Sequence, residues 1–251
     1  METVKIKTDW FDRILHGGFP VRTKTIITGP GGSGKPLIGE YFIASWLESG
    51  GSVVIISLQY PSAEFIATSV KNVSGTDINA FSDQVVFIHL DTGIATSKQI
   101  NKQLIHANLL KPEVWEQTID LAAGQLPANG PGILVFASAF NLLLFSPTYG
   151  EAIFRKIRET LQSDSPLTYI ITVSTSAKQE KIAELEKLAD NLIVSRSEKE
   201  PFRLFMTIER MKTGTFEQQE IQIPVSAETL NHIKQIAHHS RGKVLPSIMK
   251  I

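Results

Sequence analysis

The residues best placed to do chemistry are Gly29-Pro30-Gly31-Gly32-Ser33-Gly34-Lys35-Pro36. An apolar run, Thr25-Ile26-Ile27-Thr28, precedes them, and a helix-forming run from Leu37 to Glu48 follows. In that order, strand, glycine-rich loop and helix let backbone N–H groups cradle a phosphate while a lysine reaches it. The pattern G-x-x-x-x-G-K-[ST] is met at Gly29, Gly34 and Lys35 and fails at Pro36. The failure removes the hydroxyl that would hold Mg²⁺, and proline also lacks a backbone N–H. The helix tolerates it, since proline suits a first turn. For an anion there remain loop N–H groups, the positive helix end and Lys35. Gly29, Gly31, Gly32, Ser33, Gly34, Lys35 and Pro36 are therefore the expected binding loop. The plain alternative is a turn that only joins strand to helix.

The rest of the chain supplies elements that would position such a loop. Residues 1–22 read as a lead-in, with a helical turn or two at Trp10–Leu15 closed by Gly17-Gly18. Ser52–Ser57 is a β-branched run suited to a strand buried on both faces. A helix is expected from Pro61 through Val70, and a strand over Gln84–Leu90. Ser97–Ala123 reads as helix with a break near Lys111-Pro112, and 127–131 as a turn. Gly132–Phe136 and Thr168–Val173 read as strands, and Tyr149–Leu161 as a helix with Ile153, Ile157 and Leu161 on one face. A helix over Glu180–Ala189 and a short strand over Asn191–Val194 follow. Arg203–Ile208 and Glu220–Ile223 read as an antiparallel pair around a polar turn. Ser226 is placed to cap a last helix over Ala227–His239, and the tail from Arg241 has no clear period. Alternation of strand and helix predicts an α/β fold: a parallel sheet, helices on both faces, and an antiparallel C-terminal hairpin. No linker or internal repeat is visible, so residues 1–251 read as a single domain.

Composition narrows the function classes. Of 251 residues, 42% are apolar and 20% charged, which suits a globular protein. Lys plus Arg and Asp plus Glu are 25 each, so no global basic field draws in nucleic acid. With no cysteine, disulfides, thiolate metal sites and cysteine nucleophiles are excluded. No apolar run reaches the roughly 18–20 residues of a membrane span. The N-terminal residues lack a signal-peptide core, and the expectation is a cytoplasmic protein.

Six stretches, in order, resemble the KaiC-like branch of the RecA-type P-loop ATPases. They are Asp12–Pro20, the loop Gly29–Lys35, Ser57-Leu58-Gln59-Tyr60, Ile133–Ser138, Ala189–Ile193 and Arg210-Met211-Lys212-Thr213-Gly214. The resemblance covers roughly residues 5–225 and implies a RecA-like sheet. It also implies a carboxylate after the second strand to polarise water, where this chain has Gln59-Tyr60. It implies an Asp supporting Mg²⁺ at the end of a later strand, where this chain has Ala137, followed by Ser138. With Pro36, three supports for metal and water are replaced. Phosphoryl transfer depends on positioning and on charge neutralised by metal and cations. No catalytic residue and no metal ligand is therefore expected. ATP or ADP is the implied ligand, held weakly, with Mg²⁺ not expected. The resemblance further implies that Arg210 and Lys212 reach a neighbouring subunit's nucleotide; the alternative is a pair of exposed strand cations.

Other groups carry less. The six histidines show no H-x-x-x-H or H-E-x-x-H spacing, and His238-His239 diverge on a helix. Ser174-Thr175-Ser176 is either a γ-phosphate sensor, by resemblance, or a simple turn. Asp91-Thr92-Gly93 reads as a turn. Lys234, His238, His239, Arg241 and Lys243 form a basic patch without the aromatic interleaving of a nucleic-acid surface. Phe140–Phe145 reads as a buried helix start or an interface. Three functions stay open. The first is a non-hydrolysing, nucleotide-responsive or protein-binding regulatory or assembly subunit, with a protein partner or self-association. The second is an active ATPase using replacement residues such as Asp91 or Glu64. The third is a recombinase-like DNA-binding protein, which the neutral charge disfavours.

Overall fold

A computed structural model describes residues 2–60, 62–226, 229, 231, 235–236 and 238–251. Its central element is a ten-stranded sheet of order β12-β11-β10-β3-β9-β8-β4-β5-β7-β6. The strands are β3 (Lys24–Thr28), β4 (Ser52–Ser57), β5 (Val85–Leu90), β6 (Ser97–Asn101), β7 (Leu104–Ala107), β8 (Ile133–Ser138), β9 (Thr168–Thr172), β10 (Asn191–Lys199), β11 (Phe202–Arg210) and β12 (Ile221–Ile223). Pairing is parallel from β10 through β3, β9, β8, β4 and β5 to β7. It is antiparallel among β10, β11 and β12 at one edge and between β6 and β7 at the other. A separate antiparallel pair joins β1 (Thr3–Val4) to β2 (Phe19–Pro20).

Successive side chains of a strand point to opposite faces, and the central strands are apolar at both. Val53, Ile55, Leu134, Phe136 and Ile170 enter one core. Val54, Ile56, Val135, Ala137 and Ile171 enter the other. The first core is covered by α1 (Asp9–Asp12), α2 (Lys35–Glu48) and α3 (Ala63–Ser74). The second is covered by α4 (Pro112–Gly124), α5 (Gly150–Gln162) and α6 (Gln179–Leu188). The helix α2 lies close on the sheet at Gly39, where an added Cβ would sit 2.1 Å from the Phe136 ring. Glycine in a helix interior normally weakens the helix; here it permits the approach.

The parallel sheet, the helices on both faces and the antiparallel β11–β12 pair are as expected, with Leu204 opposite Ile223. One stretch is corrected. Residues 97–107 are not helical but form the β6–β7 hairpin, and only 112–124 form a helix. Ile105 and Ala107 are buried while Leu104 and His106 are half-buried, a period of two. The Asn101 side chain accepts from the Gln103 N–H at 2.8 Å and turns the chain back. Pairing of β7 with β5 overrides the local helical pattern. The strand expected to end at Val194 continues to Lys199 and makes a hairpin with β11.

The expected helix start at Pro61 lies outside the described residues; Ser62 caps α3 by accepting from the Phe65 N–H. The expected helix over 227–239 is described only in part, and His232 and Lys234 lie outside the described residues. Ser226 caps it as expected, its hydroxyl accepting from the Thr229 N–H at 3.1 Å. A short helix, α7 (Leu245–Ile248), follows and buries Ile248 completely in the second core.

Candidate functional site

The loop Gly29–Gly34 leaves the carboxyl end of β3, and a cavity of 270 Å³ opens beside it. Gln59 beyond β4, Asn141 beyond β8, and Thr172 and Ser174 at the end of β9 share that cavity with residues 31–36. Four parallel strand ends thus converge on one crevice, the usual ligand position in such sheets.

Sequence dictates the loop's shape at two glycines. At Gly29, φ is +142° and an added Cβ would lie 2.0 Å from the Ser195 carbonyl oxygen. At Gly34, φ is +75° and a Cβ would meet Leu204 Cδ1 at 2.4 Å. Only glycine satisfies both the backbone angle and the space. The Gly31 N–H donates to Ser176 Oγ at 2.9 Å, so the serine turn after β9 braces the loop. Ser33 Oγ pairs with Ser195 Oγ at 2.7 Å and is completely buried.

Lys35 folds back over the loop. Its Nζ donates to Gly29 O at 2.8 Å, Pro30 O at 2.7 Å and Ser33 Oγ at 3.2 Å. Lys35 is 7% exposed, and burial lowers the amine's pKa from 10.5 to about 8. Pro36 stands in the first turn of α2, as expected, and lines the cavity.

Where the resemblance places a water-activating carboxylate, Gln59 donates from Nε2 to Ser138 Oγ at 2.7 Å. Both groups are buried and neutral. Its neighbour Tyr60 does not line the cavity; its hydroxyl donates to Glu40 Oε1 at 2.8 Å. Ala137 is buried in β8 and offers no oxygen side chain. Asp91 and Glu64 do not line the cavity; Asp91 instead accepts from the Gly93 N–H and lies 3.4 Å from His106 Nδ1.

Arg210 and Lys212 are not beside the loop within the chain. Arg210 Nη2 donates to the carbonyls of Glu186 and Ala189, closing the C-terminal end of α6. Lys212 Nζ is 2.9 Å from Asp190 Oδ1, and its N–H donates to Asn191 Oδ1. Asp190 Oδ2 in turn accepts from the Lys24 N–H, so this motif stitches β3, β10 and β11 together. The stretch Phe140–Phe145, read as a buried helix start or an interface, is a 3₁₀ helix with Phe140, Leu143 and Leu144 buried, while Leu142 and Phe145 line the cavity.

Two features escape a reading by motif. Ile236 and Leu245, far along the chain, form part of the cavity's apolar wall. Glu40 of α2 is fully buried behind the loop, accepting from Tyr60 OH and from Ser69 Oγ at 2.7 Å. Desolvation pushes its pKa up from 4.5 to about 7. A single carboxylate inside a helix gives no spacing signal.

The cavity's residues fit a phosphate chain better than a metal. Loop N–H groups, a helix start and a lysine converge, while no lining residue is a carboxylate. Among the described residues no group of three or more His, Cys, Asp or Glu is placed to hold a metal.

A sequence profile of the family described as "ATPase: KaiC" matches residues 4–235. A UPF0273 protein of Pyrococcus furiosus is 26% identical over 106 residues, 41% of this chain and 42% of that protein. A UPF0273 protein of Saccharolobus solfataricus is 25% identical over 64% of this chain and 56% of its own length. The circadian clock oscillator protein KaiC of a Nostoc species is 24% identical over 84% of this chain, but only 40% of its own length is spanned. The matched stretches thus cover less than two thirds of each of these relatives. Among solved structures, a KaiC-like protein of Pyrococcus horikoshii superposes with a TM-score of 0.65 at 17% identity, covering 90% of this chain and 95% of that one. The flagellar accessory protein FlaH of Methanocaldococcus jannaschii gives 0.64 at 17% identity, covering 90% and 96%. No helix among the described residues is long and apolar enough to cross a membrane.

Proposed function

The chain belongs to the KaiC ATPase family of RecA-type P-loop proteins, and from that premise we propose that it binds ATP or ADP without hydrolysing it. Nucleotide occupancy then serves a regulatory or assembly role toward a protein partner or a second copy of the chain. The observation that carries this reading is the Gln59–Ser138 hydrogen bond of 2.7 Å. A neutral amide locked onto a neutral hydroxyl stands where hydrolysis needs a base. Pro36 removes the hydroxyl that would ligate Mg²⁺, and Ala137 offers no replacement oxygen. The phosphate-binding half of the machinery is kept: the loop's two constrained glycines, its N–H groups and Lys35. If ATP or ADP occupies the cavity, the loop N–H groups and Lys35 would hold its phosphates.

The test is isothermal titration with ATP and ADP, with and without Mg²⁺, beside steady-state phosphate release from wild type and Lys35→Ala. The expected result is binding indifferent to Mg²⁺, lost in Lys35→Ala, and no phosphate release above that variant. Turnover above Lys35→Ala that requires Mg²⁺ would overturn the reading in favour of an active ATPase.

A further inference from the structure

A second cavity, of 220 Å³, lies at the carboxyl ends of β4 and β5 and is separate from the loop crevice. Ser57 and His89 of the sheet, Thr92 just beyond β5, and His239, Lys243 and Ser247 of the C-terminal segment line it. Two of its polar atoms are buried without a partner: Ser57 Oγ and His89 Nε2. Ser57 is 4% exposed, so no bulk water satisfies that hydroxyl. An orphaned buried hydroxyl is costly to leave unpaired and calls for a partner such as a ligand.

The charge around the cavity has one sign. None of its lining residues is a carboxylate. Tyr60, which also lines it, commits its hydroxyl to Glu40. The nearby Asp91 is taken up by the Gly93 N–H and His106. No carboxylate lines the cavity with Lys243, and burial followed by the Lys243 charge lowers the pKa of His239. Burial, and after it the stacked His106, lowers the pKa of His89. Hydroxyl and imidazole donors gathered with an ammonium in a cavity without carboxylates match an oxyanion.

We propose that this cavity is a second ligand site, taking a small oxyanion such as a phosphate or carboxylate group. Its ligand bridges Ser57 and His89 of the sheet to Lys243 of the C-terminal segment. That segment also carries Leu245, which walls the loop crevice, so oxyanion binding fixes one wall of the neighbouring site.

Inorganic phosphate and malonate are the probes, titrated calorimetrically into the full chain. Because phosphate can also enter the loop, the titration is made in Lys35→Met, which disables the loop. One oxyanion per chain is expected to bind there still, and adding Lys243→Ala is expected to weaken it by roughly tenfold. Ser57→Ala, which removes the orphaned hydroxyl, is expected to weaken it less. Lys243 is exposed, so its replacement leaves the fold intact, as a thermal melt would verify. Phosphate stronger than malonate identifies a phosphoryl ligand, and the reverse a carboxylate. Loss of all oxyanion binding in Lys35→Met, or binding that ignores both Lys243→Ala and Ser57→Ala, would overturn the proposal.

Discussion

Lys35 holds its charge in a place that does little to support it. Burial lowers its pKa to about 8, and its nearest partners are carbonyl and hydroxyl oxygens of its own loop. A bound phosphate would supply the missing anion and raise that pKa. Above pH 8 the free protein has already begun to lose this proton, so binding must take one up. Nucleotide affinity is therefore expected to fall as pH rises past about 8, approaching tenfold per pH unit. Titrations of the wild type above pH 8 in buffers of different ionisation enthalpy should detect that proton uptake, and titrations near pH 6 should detect none. Affinity that stays level between about pH 7.5 and 9.5 would mean the amine does not meet the phosphate. The loop's residues were legible because glycine spacing and a following lysine are local signals. That Gln59 turns to Ser138 while Tyr60 turns to Glu40 was not, since adjacent residues give no hint of which faces the crevice.

Glu40 is the clearest case of elements held by one side chain. It lies on α2 and accepts from Ser69 on α3 and from Tyr60, just beyond β4. Its Oε2 has no partner, and it is completely buried. An unfolded glutamate ionises near 4.5, whereas this one does so at about 7. Between those values the native state holds the extra proton, so stability falls as pH rises from about 4.5 to 7. Glu40→Gln keeps an acceptor for Tyr60 and Ser69 but cannot ionise. Urea melts should find the variant more stable than wild type at pH 8, by roughly 1–3 kcal/mol, and the gap closed near pH 4.5. An equal difference at both pH values would show that Glu40 is not titrating in the folded state. At this scale the central strands were readable because β-branched runs buried on both faces leave little choice. Residues 97–107 were not, because a polar, mixed sequence takes its conformation from the edge strand it pairs with.

Across the whole molecule, the loop crevice is built from segments more than 200 residues apart, from Gly31 to Leu245. Pattern reading treats such an ending as a tail, since no period marks it and its contacts depend on where the chain has already gone. Folded, it brings Ile236 and Leu245 into the same cavity as Leu142 and Phe145, giving an apolar lining to a crevice whose loop residues are polar. That division suits a nucleotide, phosphates toward the loop and base against the wall. Leu245 is only half-buried, so its packing energy remains available to a ligand. Ile248, three residues on, is fully buried and anchors the segment, so trimming Leu245 should leave the wall's backbone in place. Leu245→Ala is therefore expected to weaken ADP by roughly tenfold, the effect of losing about 1.4 kcal/mol of apolar contact. Pyrophosphate, which has no base to lay on the wall, should bind the variant and wild type alike. Calorimetric titration of the two ligands makes the comparison. If both weaken together, Leu245 shapes the loop itself, and the base does not lie where the apolar wall places it.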